Sequence, residues 1–301
     1  MRVALLYHRR LPVRGYGGTE RVVVWLARGL AALGHQVSLL APEGSRVPEA
    51  VLVPVPDRVL ADPECDPRPF LPAGTEVVHA HRPVPPREGL PLLWTMHGTA
   101  TGGVYPPNMV GLSADHARRT GARVFVHNGL DPAEYRFQEK KSDYDLFLGR
   151  LHSSKGWHWA MQGARAAGKE IVLAGGWRPS FRRGVRYAGS VDGKPKQDLL
   201  AGAACLWMPA LWDEPFGLTL IEAMASGTPV LGTRRGALPE IVTPDVGALG
   251  DTLEELIALR PAIDRITPEA CRARVLAHFT HTSMAERYLG LYRRVAETGK
   301  V

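Results

Sequence analysis

The chain has 301 residues, 45% of them hydrophobic, which is enough for one large domain or two domains that each bury a core. No run of about 18 apolar residues occurs, so the sequence predicts no membrane-spanning helix. A short apolar segment and then charged residues follow Met1, which predicts a first β-strand and not a signal peptide. The three cysteines lack metal or redox spacing, and their odd number argues against a disulfide framework. We therefore expect a cytoplasmic protein.

Basic residues outnumber acidic residues by 37 to 30, and the formal net charge is +7. Such a charge is compatible with a nucleic acid, an anionic membrane face or an acidic substrate as the partner. The arginine clusters lack interleaved aromatic residues and any nucleic-acid motif, which argues against a nucleic acid. A peripheral contact with the inner membrane face stays open. The clusters are Arg9, Arg10 and Arg14; Arg118, Arg119 and Arg123; and Arg178, Arg182, Arg183 and Arg186.

Short apolar strands alternate with amphipathic helices, which predicts an α/β protein with parallel sheets. Residues 2–7 form the first predicted strand, and residues 19–33 form the first predicted helix. Gly17 and Gly18 lie at the turn between them, where glycines allow backbone amides to approach an anion closely. A tight turn without a ligand is the alternative explanation of this pair.

Three histidines lie at or near the ends of predicted strands in the first half of the chain. They are His79, His81 and His97, and no acidic or cysteine residue lies at a spacing that would complete a zinc site. His97 and Gly98 close a strand, at the edge of a parallel sheet where such sheets bind ligands. We therefore favour His97 as the functional residue, and a structural role stays open for the other two.

The segment from Gly149 to Gly156 reads GRLHSSKG and follows a buried apolar strand. Its two cations are Arg150 and Lys155. Arginine can bind a phosphate through two parallel hydrogen bonds, and lysine acts as a mobile point charge. The loop therefore predicts a phosphate site, with a solvated basic loop as the alternative.

The stretch EPFGLTLIEAMASGTPVLG, residues 214–232, carries two carboxylates eight positions apart, Glu214 and Glu222. Apolar residues recur at helical spacing after Gly217, so we expect a helix to begin there. The free amides and the positive dipole end would form an anion site at residues 216–218. Glu222 lies on an apolar face and needs a partner there. The alternative is an ordinary crossover helix with two satisfied glutamates.

This stretch resembles the E-x7-E signature of family 4 glycosyltransferases, which are retaining, nucleotide-sugar-dependent enzymes of GT-B fold. The resemblance continues through TPVLGTRRGALPEIV and is strongest at residues 147–242. It implies two Rossmann-like, doubly wound parallel-sheet domains that face a cleft. The implied divisions are an N-terminal acceptor domain of residues 1–130, a donor domain of residues 131–280, and a final helix of residues 281–301 that returns to the first domain. With its first domain near 130 residues, the chain would be a short member of the family.

The resemblance implies four catalytic residues. Arg150 and Lys155 would neutralise the diphosphate leaving group. Glu214 would accept hydrogen bonds from hydroxyls of the transferred sugar, and His97 would orient that sugar.

The resemblance also implies further contacts with the donor. Glu222 would accept hydrogen bonds from the ribose hydroxyls, and the glycine-rich turn of the first domain would lie near the phosphates and the acceptor. The backbone groups concerned are those of Gly17, Gly18, Phe216, Gly217 and Leu218.

The expected activity is transfer of a sugar from a nucleotide-diphospho-sugar to a carbohydrate, lipid-linked or small-molecule acceptor, with retention of the anomeric configuration. No cofactor is expected besides the donor itself. The alternatives are a GT-B epimerase and a non-catalytic nucleotide-sugar-binding subunit that regulates a partner.

One D-x-D sequence, Asp143-Tyr144-Asp145, precedes a strand at the end opposite the predicted phosphates. We interpret it as a solvated strand end and expect a metal-independent enzyme.

Overall fold

The computed structural model describes residues 1–13, 15, 17–99, 103–176 and 183–301. These residues divide into two compact units. Unit 1 contains Met1–Leu130 together with Thr280–Val301, and unit 2 contains Asp131–Phe279. Three arginines of the predicted basic clusters lie outside the described residues, namely Arg14, Arg178 and Arg182.

Strands and helices alternate along most of the described chain. The strands are β1 (Arg2–Leu6), β2 (Gln36–Ala41), β3 (Val51–Pro54), β4 (Val77–Ala80), β5 (Leu92–Thr95), β6 (Met109–Gly111), β7 (Val124–Phe125), β8 (Tyr144–Leu148), β9 (Glu170–Ala174), β10 (Val185–Gly189), β11 (Cys205–Met208), β12 (Val230–Thr233) and β13 (Gly247–Gly250). The helices are α1 (Gly18–Ala32), α2 (Asp57–Ala61), α3 (Ala114–Thr120), α4 (Trp157–Ala166), α5 (Gly193–Gly202), α6 (Leu218–Ala225), α7 (Leu238–Ile241), α8 (Leu253–Ile263), α9 (Pro268–His278) and α10 (His281–Thr298).

Unit 1 is built on a parallel sheet with the strand order β3-β2-β1-β4-β5-β6-β7. Its central strands are fully buried and carry large apolar side chains such as Leu5 and Trp94. Helix α1 follows β1 and buries Val23, Leu26 and Leu30, because its apolar residues recur at helical spacing. These side chains belong to the apolar core of unit 1, and most of the remaining residues of the helix are also at least partly buried.

Helix α10 packs against α1 within unit 1. Gly29 of α1 lies so close to the backbone carbonyl of His281 that a β-carbon would collide with it. The missing side chain lets the two helices approach closely. The buried stripe of α10 consists of Met284, Ala285, Tyr288, Leu289, Leu291, Tyr292 and Val295.

Unit 2 is built on a second parallel sheet, with the strand order β10-β9-β8-β11-β12-β13. Counted within the unit, this is the 3-2-1-4-5-6 order of the doubly wound Rossmann fold. The order reverses between β8 and β11, as it does between β1 and β4 in unit 1. The prediction of two Rossmann-like parallel-sheet domains is therefore confirmed. Such sheets bind ligands beyond the carboxyl ends of the strands at the reversal.

The D-x-D sequence lies at the start of β8, and its two aspartates differ. Asp143 is exposed and pairs with Lys169 at 3.0 Å, which confirms a solvated strand end for this residue. The same interpretation is wrong for Asp145, which is fully buried. Its carboxylate accepts hydrogen bonds from Arg260 at 2.6 and 2.8 Å and from the indole of Trp207 at 2.7 Å. A charged aspartate is tolerated inside the strand because these donors replace water.

Candidate active site

The candidate phosphate loop, residues 149–156, connects β8 to α4 at the reversal of the unit 2 sheet. The amide of Leu211 donates a 2.8 Å hydrogen bond to the carbonyl of Ser154, which ties the loop to the chain beyond β11. Gly156 has a φ of 70° and packs against the carbonyl of Pro209, and both features exclude a side chain. The loop is thus held beside the segment that contains the first signature glutamate.

The two cations of this loop have different surroundings. Arg150 is exposed, and its guanidinium has no hydrogen-bond or ion-pair partner among the described residues. Lys155 is largely buried and forms an ion pair with Glu214 at 2.7 Å. Its ammonium also lies 4.3 Å from the ring centre of Trp212, where the indole face attracts a cation. Lys155 is therefore positioned by two side chains, whereas the donors of Arg150 meet no acceptor in the described part of the chain.

Glu214 lies in the loop between β11 and α6 and is only 9% exposed. Its backbone carbonyl accepts a 2.9 Å hydrogen bond from the amide of Ala237. Gly236, with a φ of 59°, passes so close to the backbone of Glu214 that a β-carbon would collide with it. The segment that follows β12 therefore fixes the position of this glutamate.

Helix α6 begins at Leu218, directly after Gly217, as the sequence predicts. Gly217 has a left-handed φ of 86°, and no side chain caps the helix. Phe216 is buried and packs edge-on against Phe279, with the ring centres 6.1 Å apart. The amides of Gly217 and Leu218 have no backbone acceptor among the described residues. The first turn of the helix can therefore receive an anion.

Glu222 lies inside α6 and is 2% exposed. Lys196 of α5 forms an ion pair with it at 2.6 Å, and the hydroxyl of Tyr135 donates a hydrogen bond to it at 2.8 Å. Both partners contact the same oxygen, Oε1. The protein itself therefore supplies the partner that this carboxylate needs on an apolar face. Its contact with a ribose stays a prediction.

In unit 1, Gly17 directly precedes α1 and Gly18 is its first residue, and β1, the strand before this helix, flanks the sheet reversal. Gly17 is extended, and its Cα faces the carboxylate of Glu20 and the side chain of Val13, which leave no room for a β-carbon. Glu20 is only 6% exposed. Burial, together with the charge and hydrogen bond of Glu20, raises the pKa of Tyr7 well above its usual value. Gly17 thus packs against a buried carboxylate.

The three predicted histidines lie together at the same edge of the unit 1 sheet. His79 and His81 stack with ring centres 4.4 Å apart, and Nδ1 of His81 lies 2.9 Å from Nε2 of His97. His79 is fully buried and hydrogen-bonded to Thr95 and Tyr292, each at 2.7 Å. Burial lowers the pKa of His97 to about 3, and it lowers the pKa of His79 and His81 well below the usual value. All three rings are therefore neutral at pH 7 and act as hydrogen-bond partners.

The described residues contain neither a metal-binding cluster nor a membrane-spanning helix. No group of three or more His, Cys, Asp or Glu side chains in the described part of the chain is arranged to hold a metal ion. Across those residues, every helix is too short or too polar to cross a bilayer. The thiols of Cys65, Cys205 and Cys271 are buried and form no disulfide.

Comparison with known proteins connects this site to an enzyme family. Residues 16–136 match the family model for Glycosyltransferase Family 4, and residues 144–260 match the model for Glycosyl transferases group 1. The crystal structure of AviGT4, a glycosyltransferase involved in avilamycin A biosynthesis, is 31% identical and has a TM-score of 0.81. That likeness covers 99% of this chain and 98% of the other. The chain belongs to the family 4 glycosyltransferases.

Two further proteins are similar to this glycosyltransferase. Phosphatidyl-myo-inositol mannosyltransferase of Propionibacterium freudenreichii subsp. shermanii is 27% identical, and the match covers 78% of each chain. Sucrose-phosphate synthase of Thermosynechococcus elongatus is 19% identical, with a TM-score of 0.73 and 98% of each chain covered, which shows the fold alone. The predictions of the family, the GT-B fold and the enzyme class are confirmed.

The structure adds three side chains to the glycosyltransferase site that the sequence analysis missed. Lys196 and Tyr135 hold Glu222, and Trp212 contacts Lys155. Trp212 could have been found from its position two residues before the first signature glutamate. The only sequence signal for Lys196 is that lysine is rare in this arginine-rich chain. No local sequence pattern identifies Tyr135.

Proposed function

We propose that this glycosyltransferase moves a sugar from a nucleotide-diphospho-sugar to an acceptor, with retention of the anomeric configuration and without a bound metal ion. One observation carries the proposal. The loops that follow β8 and β11, the strands at the reversal of the unit 2 sheet, carry Arg150, Lys155 and Glu214. Two cations and a carboxylate beside the start of a helix suit a ligand that has both a diphosphate and sugar hydroxyls.

The diphosphate is the group that gains negative charge as the sugar leaves. Arg150 can bind two of its oxygens, Lys155 adds a point charge, and the amides of Gly217 and Leu218 add the positive end of α6. Interactions that strengthen as this charge develops lower the activation barrier. These positive groups supply the charge neutralisation that other transferases obtain from a metal ion, which supports the metal-independent assignment.

The two signature glutamates are proposed to bind different parts of the donor. Glu214, paired with Lys155, accepts hydrogen bonds from hydroxyls of the transferred sugar next to the phosphates. Glu222 accepts hydrogen bonds from the ribose. Lys196 and Tyr135 already fix the position of its carboxylate before the donor binds.

Unit 1 is proposed to bind substrate hydroxyls at the carboxyl edge of its sheet, through His97 and the backbone of Gly17 and Gly18. The acceptor is a carbohydrate, a lipid-linked molecule or another small molecule. Peripheral contact of the arginine clusters with an anionic membrane is part of this proposal, and no resident cofactor is required.

Donor binding is the first test of the proposal, with the full chain and a set of UDP, GDP, ADP and TDP sugars. A ligand at 100 times its Kd stabilises the folded state by about 2.7 kcal/mol. We therefore expect one nucleotide sugar to raise the Tm by several degrees, while the corresponding free sugar leaves it unchanged. If no member of the set raises the Tm, the donor assignment is wrong.

Transfer, stereochemistry and metal dependence are tested with the donor so identified. NMR of the product is expected to show the same anomeric configuration as the donor, and an inverted product would contradict retention. Activity is expected to survive EDTA and the control substitution Asp143→Asn. Loss of activity in EDTA that manganese restores would overturn the metal-independent assignment.

A further inference from the structure

Two other histidines of unit 1 hold His97 and the residue that follows it, His81 at the ring of His97 and His116 at the carbonyl of Gly98. Nδ1 of His81 lies 2.9 Å from Nε2 of His97, so the two rings share one hydrogen bond. His97 is half-buried, and its remaining nitrogen, Nδ1, has no partner among the described residues. That nitrogen is the one available to a ligand at the carboxyl edge of the sheet.

The backbone next to His97 is held by His116 of α3. Nδ1 of His116 accepts a 3.1 Å hydrogen bond from the amide of Leu112, so the proton of its neutral ring is on Nε2. That Nε2–H donates to the carbonyl of Gly98 at 2.9 Å. The Nε2–H group of His116 therefore fixes the carbonyl of Gly98, the residue that follows His97.

The direction of the His81–His97 bond follows from the other nitrogen of His81. Nε2 of His81 is buried and has no hydrogen-bond partner among the described residues. Buried N–H groups without an acceptor are rarer in proteins than acceptors without a donor. The proton of His81 is therefore favoured on Nδ1, where it has an acceptor in Nε2 of His97. A neutral His97 that accepts at Nε2 must carry its own proton on Nδ1.

We propose that His81 is a positioning residue that fixes His97 as the Nδ1–H tautomer, so that His97 donates a hydrogen bond to a substrate oxygen. This inference rests on the proposed function, since it takes the substrate to bind at this edge of the unit 1 sheet. The burial that keeps both rings neutral at pH 7 supports the proposal, because a cationic ring would have no tautomer to select.

The tautomer can be measured on the parent protein without substrate. Long-range ¹⁵N–¹H correlation spectra distinguish a protonated ring nitrogen from a bare one, and the His97 signals are assigned by their loss in His97→Gln. We expect a protonated Nδ1 and a bare Nε2 for His97, with a protonated Nδ1 for His81. A protonated Nε2 on His97 in the parent protein overturns the proposal.

Kinetics of His81 variants test whether the tautomer affects the reaction. In His81→Phe we expect the proton of His97 to move to Nε2 and kcat to fall about threefold to tenfold, as for one neutral hydrogen bond, with little change in the KM of the donor. His81→Asn keeps an N–H near the position of Nδ1 and should restore most of kcat. A fall in kcat without a change of tautomer would indicate a merely structural role and would overturn the proposal.

The failure of this inference can be told apart from failure of the proposed function. If no nucleotide sugar binds the parent protein, the proposed function is wrong and so is the substrate contact of His97, whatever the tautomer. If a donor binds and is turned over but the tautomer of His97 is the reverse one, only the positioning role of His81 is lost.

Discussion

Each signature glutamate is already bound to a lysine. Lys155 holds Glu214 at 2.7 Å, and Lys196 holds Glu222 at 2.6 Å. The four side chains are between 3% and 15% exposed, so both ion pairs are largely removed from water. Removing one member of such a pair leaves a charge without compensation, which destabilises the fold. The kinetic effect of a substitution at any of these four residues should therefore be compared with its effect on the free energy of unfolding.

Arg150→Ala breaks no hydrogen bond or ion pair with the described residues, which makes it the clearest test of the proposed diphosphate site. A charged hydrogen bond contributes about 1.5–3 kcal/mol, so Arg150→Ala should weaken nucleoside diphosphate binding about ten- to a hundredfold. Lys155→Ala should do the same, and nucleoside binding should change little. Arg165→Ala, an exposed arginine on α4, is the matched control for calorimetric titration. Parent-like diphosphate affinity in both loop variants would exclude the loop from the phosphate site.

The two glutamates should differ in steady-state kinetics. Glu214→Gln changes a contact at the reacting sugar and should mainly lower kcat, whereas Glu222→Gln should mainly raise the KM of the donor. Glu222→Gln should also lose discrimination against a 2′-deoxyribose donor, because the carboxylate that binds the hydroxyl is gone. Lys196→Met should raise the KM of the donor as well, since it frees the position of Glu222.

Two outcomes would contradict these roles. A Glu222→Gln enzyme that keeps its full preference for ribose would leave Glu222 with a structural role, as its contacts with Tyr135 and Lys196 already allow. A Glu214→Gln enzyme with parent-like kcat would remove Glu214 from the reaction centre.

Strand β8 carries a buried ion pair in addition to leading into the phosphate loop. Arg260 of α8 binds Asp145 at 2.6 Å and also binds Asp264 at 2.7 Å. The side chains of Arg260 and Asp145 are at most 1% exposed, and hydrogen bonds to Asp145 raise the pKa of Arg260 against the effect of burial. The pair thus links the helix to the strand that positions the candidate site.

Breaking this pair should destabilise unit 2. Asp145→Asn leaves the guanidinium of Arg260 without its main partner in an apolar region and should cost about 3–5 kcal/mol. The control is Asp251→Asn, which breaks an exposed pair with Arg234 at 2.9 Å and should cost less than about 1 kcal/mol. Urea denaturation followed by tryptophan fluorescence measures both. Similar midpoints for the two variants would show that the buried pair contributes no more than the exposed one.

Elements with a regular apolar repeat were predicted closely from the sequence. Helix α1 was predicted at residues 19–33 and lies at Gly18–Ala32, and α6 begins after Gly217 as predicted. The partners of buried charges were not predicted, because Arg260 lies 115 residues from Asp145 and Lys196 lies 26 residues from Glu222. Such pairs depend on the packing of α8 on the sheet and of α5 on α6, which no local spacing encodes.

The two units use one sheet topology with different charges at the edge where ligands bind. The loops of unit 2 provide Arg150, Lys155 and two glutamates, a set suited to an anionic, hydroxyl-bearing ligand. The edge of unit 1 provides neutral histidines and the buried carboxylate of Glu20, which forms an ion pair with the exposed Arg9 at 3.5 Å. This difference fits a division in which unit 2 binds the charged donor and unit 1 binds substrate hydroxyls, as proposed above.

The buried histidines of unit 1 make the stability of the protein depend on pH. Burial lowers the pKa of His97 to about 3, from an ordinary value of 6.5 that the unfolded chain keeps. Between these two values the unfolded state binds more protons than the folded state, so the free energy of unfolding falls as the pH falls through this window. His79 and His81, whose pKa values are also lowered by burial, act in the same direction.

We therefore expect the Tm of the parent protein to fall from pH 7 to pH 4, and His97→Gln to reduce the size of that fall. Other groups that titrate in this range are present in both proteins, so the difference between their slopes reports His97 together with its electrostatic effect on His79 and His81. Calorimetry at a series of pH values measures both. If the His97→Gln and parent proteins lose stability equally, folding does not lower the pKa of His97, and the inference that burial excludes a proton from its ring is wrong.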